Sequence, residues 1–270
     1  MSIVLYEKQN HIARIILNRP EARNAINHAL VIRLGELLDE AARDTDVHVV
    51  VISATGEKAF CAGFDLKESI SNPIVDVSAR RADSTFELDT WLKIWKMPKP
   101  VIASVQGYCI GGGLHLAFVC DLLLAADNAQ FGEPEVAFSY IPDILIEPWK
   151  MPFNKARELL YLGEFMSAEE LHRIGVVNRL FPLANLEEET MKIAKRLADM
   201  PRETMAMLKV QMNKTYEIKG FYNAMEYAAE MFNLCRINQV QQESEFNQIV
   251  KERGLKEALE WKEAQKSKEK

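Results

Sequence analysis

The sequence is short of the residues that build disulfide frameworks and zinc sites. Four cysteines, Cys61, Cys109, Cys120 and Cys235, stand among 270 residues without C-x-x-C or C…H spacing. Their apolar or helical-looking surroundings mark them as buried free thiols, and no metal site is read from the spacing. An uninterrupted apolar run of bilayer length is missing too: the longest, 109–126, contains His115, Asp121 and three glycines, which is expensive in lipid. No membrane partner is expected. The opening "MSIVLYEKQN" has no basic region and meets charge at Glu7, so neither a secretory signal nor a transit peptide is read there, and a cytoplasmic location is the expectation. Nor is there an excess of positive charge. Lys and Arg total 33 against 39 Asp and Glu, a formal net charge of -6, which argues against a nucleic-acid surface. Neither G-x-x-x-x-G-K-[ST] nor a strand-linked G-x-G-x-x-G occurs, so the usual nucleotide-phosphate cradles are excluded. No linker and no internal repeat divides the chain.

What is present alternates strand and helix. "IVLYEKQNHIARIILNRP" reads as a hairpin turning at residues 8–10. Residues 28–43 put Leu30, Leu34, Leu37, Leu38 and Ala41 on one helical face. "VHVVVIS", "VIASVQG", "DLLLAAD" and "GVVNRLF" read as buried strands, and a helix over roughly 78–96 is closed by Pro98 and Pro100. Ser167 and Glu170 match a capping box. The pattern implies an α/β core with mainly parallel pairing over residues 1–185. Residues 186–270 read almost wholly as helix, rich in Met and aromatics, suited either to an oligomer contact or to packing on the chain's own core.

Two turns carry chemistry. Gly111, Gly112 and Gly113 follow a strand and precede the apolar run "LHLAFVC". Glycines there let backbone N–H groups approach a ligand, and the helix N-terminus adds partial positive charge, which stabilises an oxyanion. A tight turn with close helix packing is the alternative. Ala62-Gly63-Phe64 lies after a neighbouring strand and offers a second free N–H.

"LNRPEARNAIN", "EKAFCAGFDLKE", "GYCIGGGLHLAFVCDLLLAADNAQFGEPE" and "GVVNRLFP", in that order, resemble the crotonase (enoyl-CoA hydratase/isomerase) superfamily across about residues 5–182. The resemblance implies a ββα spiral core with a helical C-terminal trimerisation region, a homotrimer or homohexamer, and an acyl-coenzyme A thioester as ligand, with no cofactor beyond the coenzyme A of the substrate. It assigns the oxyanion donors to the N–H groups of Phe64 and Gly112. It places Arg23, Ala25, Lys58, Ala62, Asp65, Leu66 and Gly111 along the CoA and substrate pocket, Arg23 and Lys58 being either phosphate or ribose contacts or plain surface charge.

Hydratases of this superfamily carry two glutamates, one just after the glycine triplet and one twenty positions later. This chain keeps the second as Glu135 and has His115 in place of the first. A carboxylate beside an apolar acyl pocket is suited to proton transfer. His115 is either a core residue or, near a positive helix end, a neutral imidazole that orients water. The family's I-P-G-x-G-G is replaced by Ile141-Pro142-Asp143 and, further on, Glu147-Pro148-Trp149. Asp143 falls where dienoyl-CoA isomerases supply a second carboxylate, so Glu135 and Asp143 could form a proton-shuttling pair; equally, Asp143 could cap the next helix. Glu147 is a fainter candidate. The reading favoured is hydration of a 2-enoyl-CoA. The alternatives are enoyl- or dienoyl-CoA isomerisation, hydrolytic cleavage of a cyclic oxo-acyl-CoA, and a non-catalytic acyl-CoA-binding protein.

Overall fold

The computed structural model describes residues 2–264 apart from 73, 75, 242–244, 255, 259, 262 and 263. Strands β1 (Val4–Gln9) and β2 (Ile12–Leu17) form the expected antiparallel hairpin, and helix α1 (His28–Arg43) follows. Asn27 caps α1 by accepting from the Leu30 N–H at 3.0 Å, and its buried stripe is Leu30, Leu34, Leu37, Leu38 and Ala41, as the helical spacing predicts.

Three strand pairs come next, each a long strand followed by a short one. They are β3 (Val49–Ala54) with β4 (Ala59–Cys61), β5 (Val101–Val105) with β6 (Tyr108–Ile110), and β7 (Leu122–Ala126) with β8 (Gln130–Gly132). Helices α2 (Leu66–Ser71) and α3 (Val77–Lys96) lie between the first two pairs, and α4 (Gly112–Phe118) between the second and third. The hairpin and the long strands build a sheet of order β1-β2-β3-β5-β7-β10, parallel from β2 onward, where the last strand, β10, is a half-buried three-residue piece, Arg179–Phe181, shorter than the buried strand expected from "GVVNRLF". The short strands build a second sheet, β4-β6-β8-β9, with β9 at Phe165–Ser167. Each ββα unit therefore adds one strand to each sheet, and the units wind as a spiral.

The long strands are apolar on both faces, as crossover-connected parallel strands are. Ile15, Leu17, Val50, Ile52, Val101, Ala103 and Leu123 face the main core with α1 and α3. Ile12, Val49, Val51, Ile102 and Leu124 face the other way, onto Ala194 and Ala198 of a C-terminal helix. The chain between β8 and that helix forms α5 (Glu147–Lys150), α6 (Phe153–Leu162) and α7 (Ala168–Arg173), the last opened by the Ser167 cap, 3.1 Å from the Glu170 N–H. Four helices follow: α8 (Leu186–Ala198), which is the one on the sheet, α9 (Arg202–Ile218), α10 (Phe221–Gln241) and α11 (Glu245–Arg253). The helical reading of 254–265 extends partly outside the described residues, of which 256–258 are helical. α10 packs on α3, with Trp95 stacked on Phe221 at 4.3 Å between centroids.

The glycine triplet follows the short β6, not the long β5. Three-residue strands leave no periodic signal, so the second sheet is invisible to spacing alone. It is nevertheless the layer that presents both candidate oxyanion turns.

Candidate active site

The first turn is pinned by the segment before α1. The Ala62 N–H donates to Arg23 O (3.1 Å), the Ile26 N–H to Gly63 O (2.8 Å), and the Asp65 N–H to Ile26 O (2.8 Å). In this short parallel pairing successive N–H groups alternate in direction, so that of Phe64 is left without a backbone acceptor. Asn24, fully buried, holds the other side by donating Nδ2 to Thr55 O and Ala59 O, both at 3.0 Å. The second turn is the start of α4. Gly112 is its first residue, where the helix supplies no acceptor for the N–H. The two turns touch: a Cβ on Gly112 would lie 2.8 Å from Phe64 Cε2.

Glu135 closes the third side. It belongs to a 3-10 turn, Pro134–Phe138, directly after β8. Its carboxylate occupies the space a side chain on Gly111 would fill, since a Cβ there would sit 3.0 Å from Glu135 Cδ and closer still to Oε1. The same Oε1 is 3.6 Å from a Cβ placed on Gly63. Glu135, the Gly111-Gly112 turn and the Gly63-Phe64 turn thus converge. Oε2 of Glu135 is buried without a hydrogen-bond partner. Burial pushes the carboxyl well above its usual range, and neighbouring Glu133 pushes it further.

His115 is buried, 1% exposed, and held among carboxylates. Nε2 lies 3.1 Å from Glu133 Oε1 and 3.4 Å from Glu147 Oε1, and Nδ1 lies 3.0 Å from Asp143 Oδ1. None of these has hydrogen-bond direction at the ring nitrogens; they are charge contacts. Burial alone would lower the imidazole pKa, but Glu133, Asp143 and Glu147 together raise it well above the ordinary value. The neutral ring expected from the helix N-terminus is therefore not what these surroundings favour, because three carboxylates outweigh a helix dipole. Burial raises the Glu133 carboxyl while His115 opposes the shift. Burial likewise holds Glu87 well above the carboxylate range, helped by Asp143 and Asp83.

Asp143 does not cap α5, whose N-cap is Ile146; its contact is His115. Asp65 caps α2 and pairs with Arg19 at 3.0 Å, and Leu66 opens the same helix. Ala25 is buried, while Arg23 and Lys58 are exposed, and Lys58 O accepts from the Tyr108 N–H at 3.0 Å. Glu133 and Glu87 escape the sequence reading. The only signal for Glu133 is its place two residues before Glu135, and Glu87 has none, since it reaches the cluster from the middle of α3. His115, Glu133 and Glu147 each bring one ligand-type atom within 4.8 Å of the others, a grouping able to hold a metal.

The family model for enoyl-CoA hydratase/isomerase matches residues 7–259. The chain belongs to the enoyl-CoA hydratase/isomerase family. A crotonyl-CoA hydratase of Syntrophomonas wolfei is 31% identical over 250 residues, covering 89% of this chain and 92% of the relative. A probable mitochondrial enoyl-CoA hydratase of Dictyostelium discoideum is 34% identical over 217 residues, 78% of this chain and 76% of that one. The crystal structure of an enoyl-CoA hydratase/isomerase from Xanthobacter autotrophicus Py2 superposes with a TM-score of 0.93 at 32% identity, covering 98% of both chains. The sequence resemblance and the ββα spiral are thus borne out, and the family is one of acyl-CoA enzymes. No described helix is long and apolar enough to cross a membrane.

Proposed function

We propose that this family member adds water across the C2=C3 bond of a 2-enoyl-CoA. The observation that carries the reading is the convergence of one carboxylate, Glu135, with two backbone N–H groups that have no backbone acceptor, those of Phe64 and Gly112. In the step proposed, Glu135 takes a proton from water as the water oxygen bonds to C3. The π electrons move to the thioester oxygen, which the two N–H groups hold as an enolate. Glu135 then returns the proton to C2, and the sum is one water added. A donor of this kind contributes about 10²–10³ in rate. The raised affinity of Glu135 for a proton suits a group that must both take one and give it back. Lys58 and Arg23, both exposed, are assigned to the phosphates or ribose of CoA.

His115 is given a positioning role here in place of water activation, because its contacts are already taken by Glu133, Asp143 and Glu147. That observation also favours a second reading. With one carboxylate at the reacting carbons, proton transfer between C2 and C4 would isomerise the double bond without water. Incubation with crotonyl-CoA and with a longer 3-enoyl-CoA in ¹⁸O-water separates the two. Hydration gives a product heavier by one labelled water; isomerisation gives an isobaric product with the absorbance of the conjugated thioester. No turnover of either compound, alongside tight binding, would sink the catalytic reading and leave an acyl-CoA binder.

An oligomer is proposed through α9. Met207, Val210, Met212 and Ile218 on that helix are 59–79% exposed, an apolar surface that a trimer or hexamer would cover.

A further inference from the structure

The buried cluster behind Glu135 holds more negative groups than its one imidazole can serve. Glu133 comes from the end of β8, Glu147 from the first residue of α5, Asp143 from the loop between them, and His115 from α4. All four are no more than 4% exposed. Nε2 of His115 faces two carboxylate oxygens at once, at 3.1 and 3.4 Å, and a single N–H directed at one leaves the other unserved. Neither oxygen of Glu147 accepts a hydrogen bond, although the residue is completely buried, and neither does Glu133 Oε1. Buried polar atoms of this kind are ordinarily satisfied.

One occupant answers all of these contacts. A divalent ion about 2.0–2.2 Å from each donor spaces its ligands roughly 3.0–3.5 Å apart, the separation seen between Nε2 and its two oxygens. On the other side of the ring, Asp143 Oδ1 lies 3.0 Å from Nδ1. With a metal drawing the ring toward it, a small rotation would aim Nδ1–H at that carboxylate and fix the tautomer that leaves the Nε2 lone pair free, as carboxylates behind metal-bound histidines do. We propose that His115 Nε2, Glu133 and Glu147 form a binding site for a divalent transition cation of the Zn²⁺ or Mn²⁺ class, with Asp143 orienting the imidazole. The imidazole ligand disfavours Mg²⁺ and Ca²⁺, which take oxygen donors. Spacing rules miss the site because its ligands come from three separate segments. This inference does not rest on the hydratase reading, and its test measures no turnover.

The test is calorimetric titration of chelator-stripped, full-length protein with ZnCl₂, with displacement of Mn²⁺ followed by electron paramagnetic resonance. One saturable equivalent per chain is expected, with a rise in melting temperature that MgCl₂ does not reproduce. Glu147→Gln, close in shape to the original, should abolish that equivalent. Asp143→Asn should weaken it by about 10–100-fold. One competing pair of zinc ligands is the surface rings of His11 and His48, stacked at 4.5 Å beside Asp46, so His11→Asn should leave the equivalent intact. Far-ultraviolet circular dichroism checks that each variant folds. If Glu147→Gln does not fold, Asp143→Asn against His11→Asn decides. The proposal is overturned if stripped protein takes up no Zn²⁺, if the equivalent survives Glu147→Gln or Asp143→Asn unweakened, or if it disappears with His11→Asn.

Discussion

The Glu135 carboxylate occupies the place of a Gly111 side chain. A Cβ on Gly111 would lie 3.0 Å from Glu135 Cδ, and the backbone there, at φ 52° and ψ -125°, is open only to glycine. The glycine turn is thus a seat for the carboxylate as well as the start of a helix.

Gly111→Ala should consequently cost both stability and turnover. The backbone conformation alone accounts for about 1–3 kcal/mol, and displacing Glu135 by an ångström should lower kcat by about 10². Gly175→Ala is the control: φ is +85° and nothing lies within 4 Å of its Cβ. It should lose about 1–2 kcal/mol in urea unfolding and keep its kcat. Equal turnover in the two variants would show that Gly111 serves the backbone only.

Glu135→Gln keeps the shape and removes the proposed proton carrier. A loss of about 10²–10⁴ in kcat is expected, with acyl-CoA binding, measured calorimetrically, near that of the parent. Retained turnover would pass the proton to another group of the cluster, Glu133 being nearest in its electrostatic coupling.

Much of this was legible beforehand, and the limits have physical causes. α1 announces itself because a four-turn helix carries a period, and the hairpin and the long strands because apolar runs of five or six residues are bounded by turn signals. Phe64, Gly112 and Glu135 follow from motifs that keep their spacing, and the structure brings those three together. The raised proton affinity of His115 did not follow. A helix N-terminus is visible in sequence, whereas Asp143, Glu133 and Glu147 meet the ring only after two sheets and a loop have folded around it. Glu87 is the extreme case: in α3 it reads as one more charge on a polar helix face.

The thiols report the core. Burial pushes both Cys61 and Cys120 from 9.0 up to about 12. At pH 8, iodoacetamide should label at most Cys235 in the native protein, the one cysteine that is only half-buried, and all four after denaturation. The same shifts set a sign for alkaline stability. Unfolded thiols lose their protons from about pH 8.5, while the folded ones keep theirs to about 12, so folded stability from this source is complete below that range and declines as pH rises through it. Cys61→Ala should flatten the decline of the urea midpoint between pH 9 and 11; an unchanged slope would mean the thiol is not shielded.

Lys209 ties α9 to the sheet from below. Its Nζ donates to Ile94 O (2.9 Å), Lys99 O (3.1 Å) and Asp121 Oδ2 (2.7 Å), and the same carboxylate accepts from the Val101 N–H at 2.7 Å, at the first residue of β5. The Lys209 side chain is only 7% exposed, so no water replaces it readily. Lys209→Met preserves the apolar stem and removes all three bonds, leaving two carbonyls and a carboxylate short of a donor. A loss of about 1.5–3 kcal/mol follows from the charged contact alone. Because α9 also carries the exposed apolar face, the variant should dissociate at higher protein concentration than the parent in sedimentation equilibrium. A variant as stable as the parent, with the same association state, would show that α9 is held by its neighbours and not by this ammonium group.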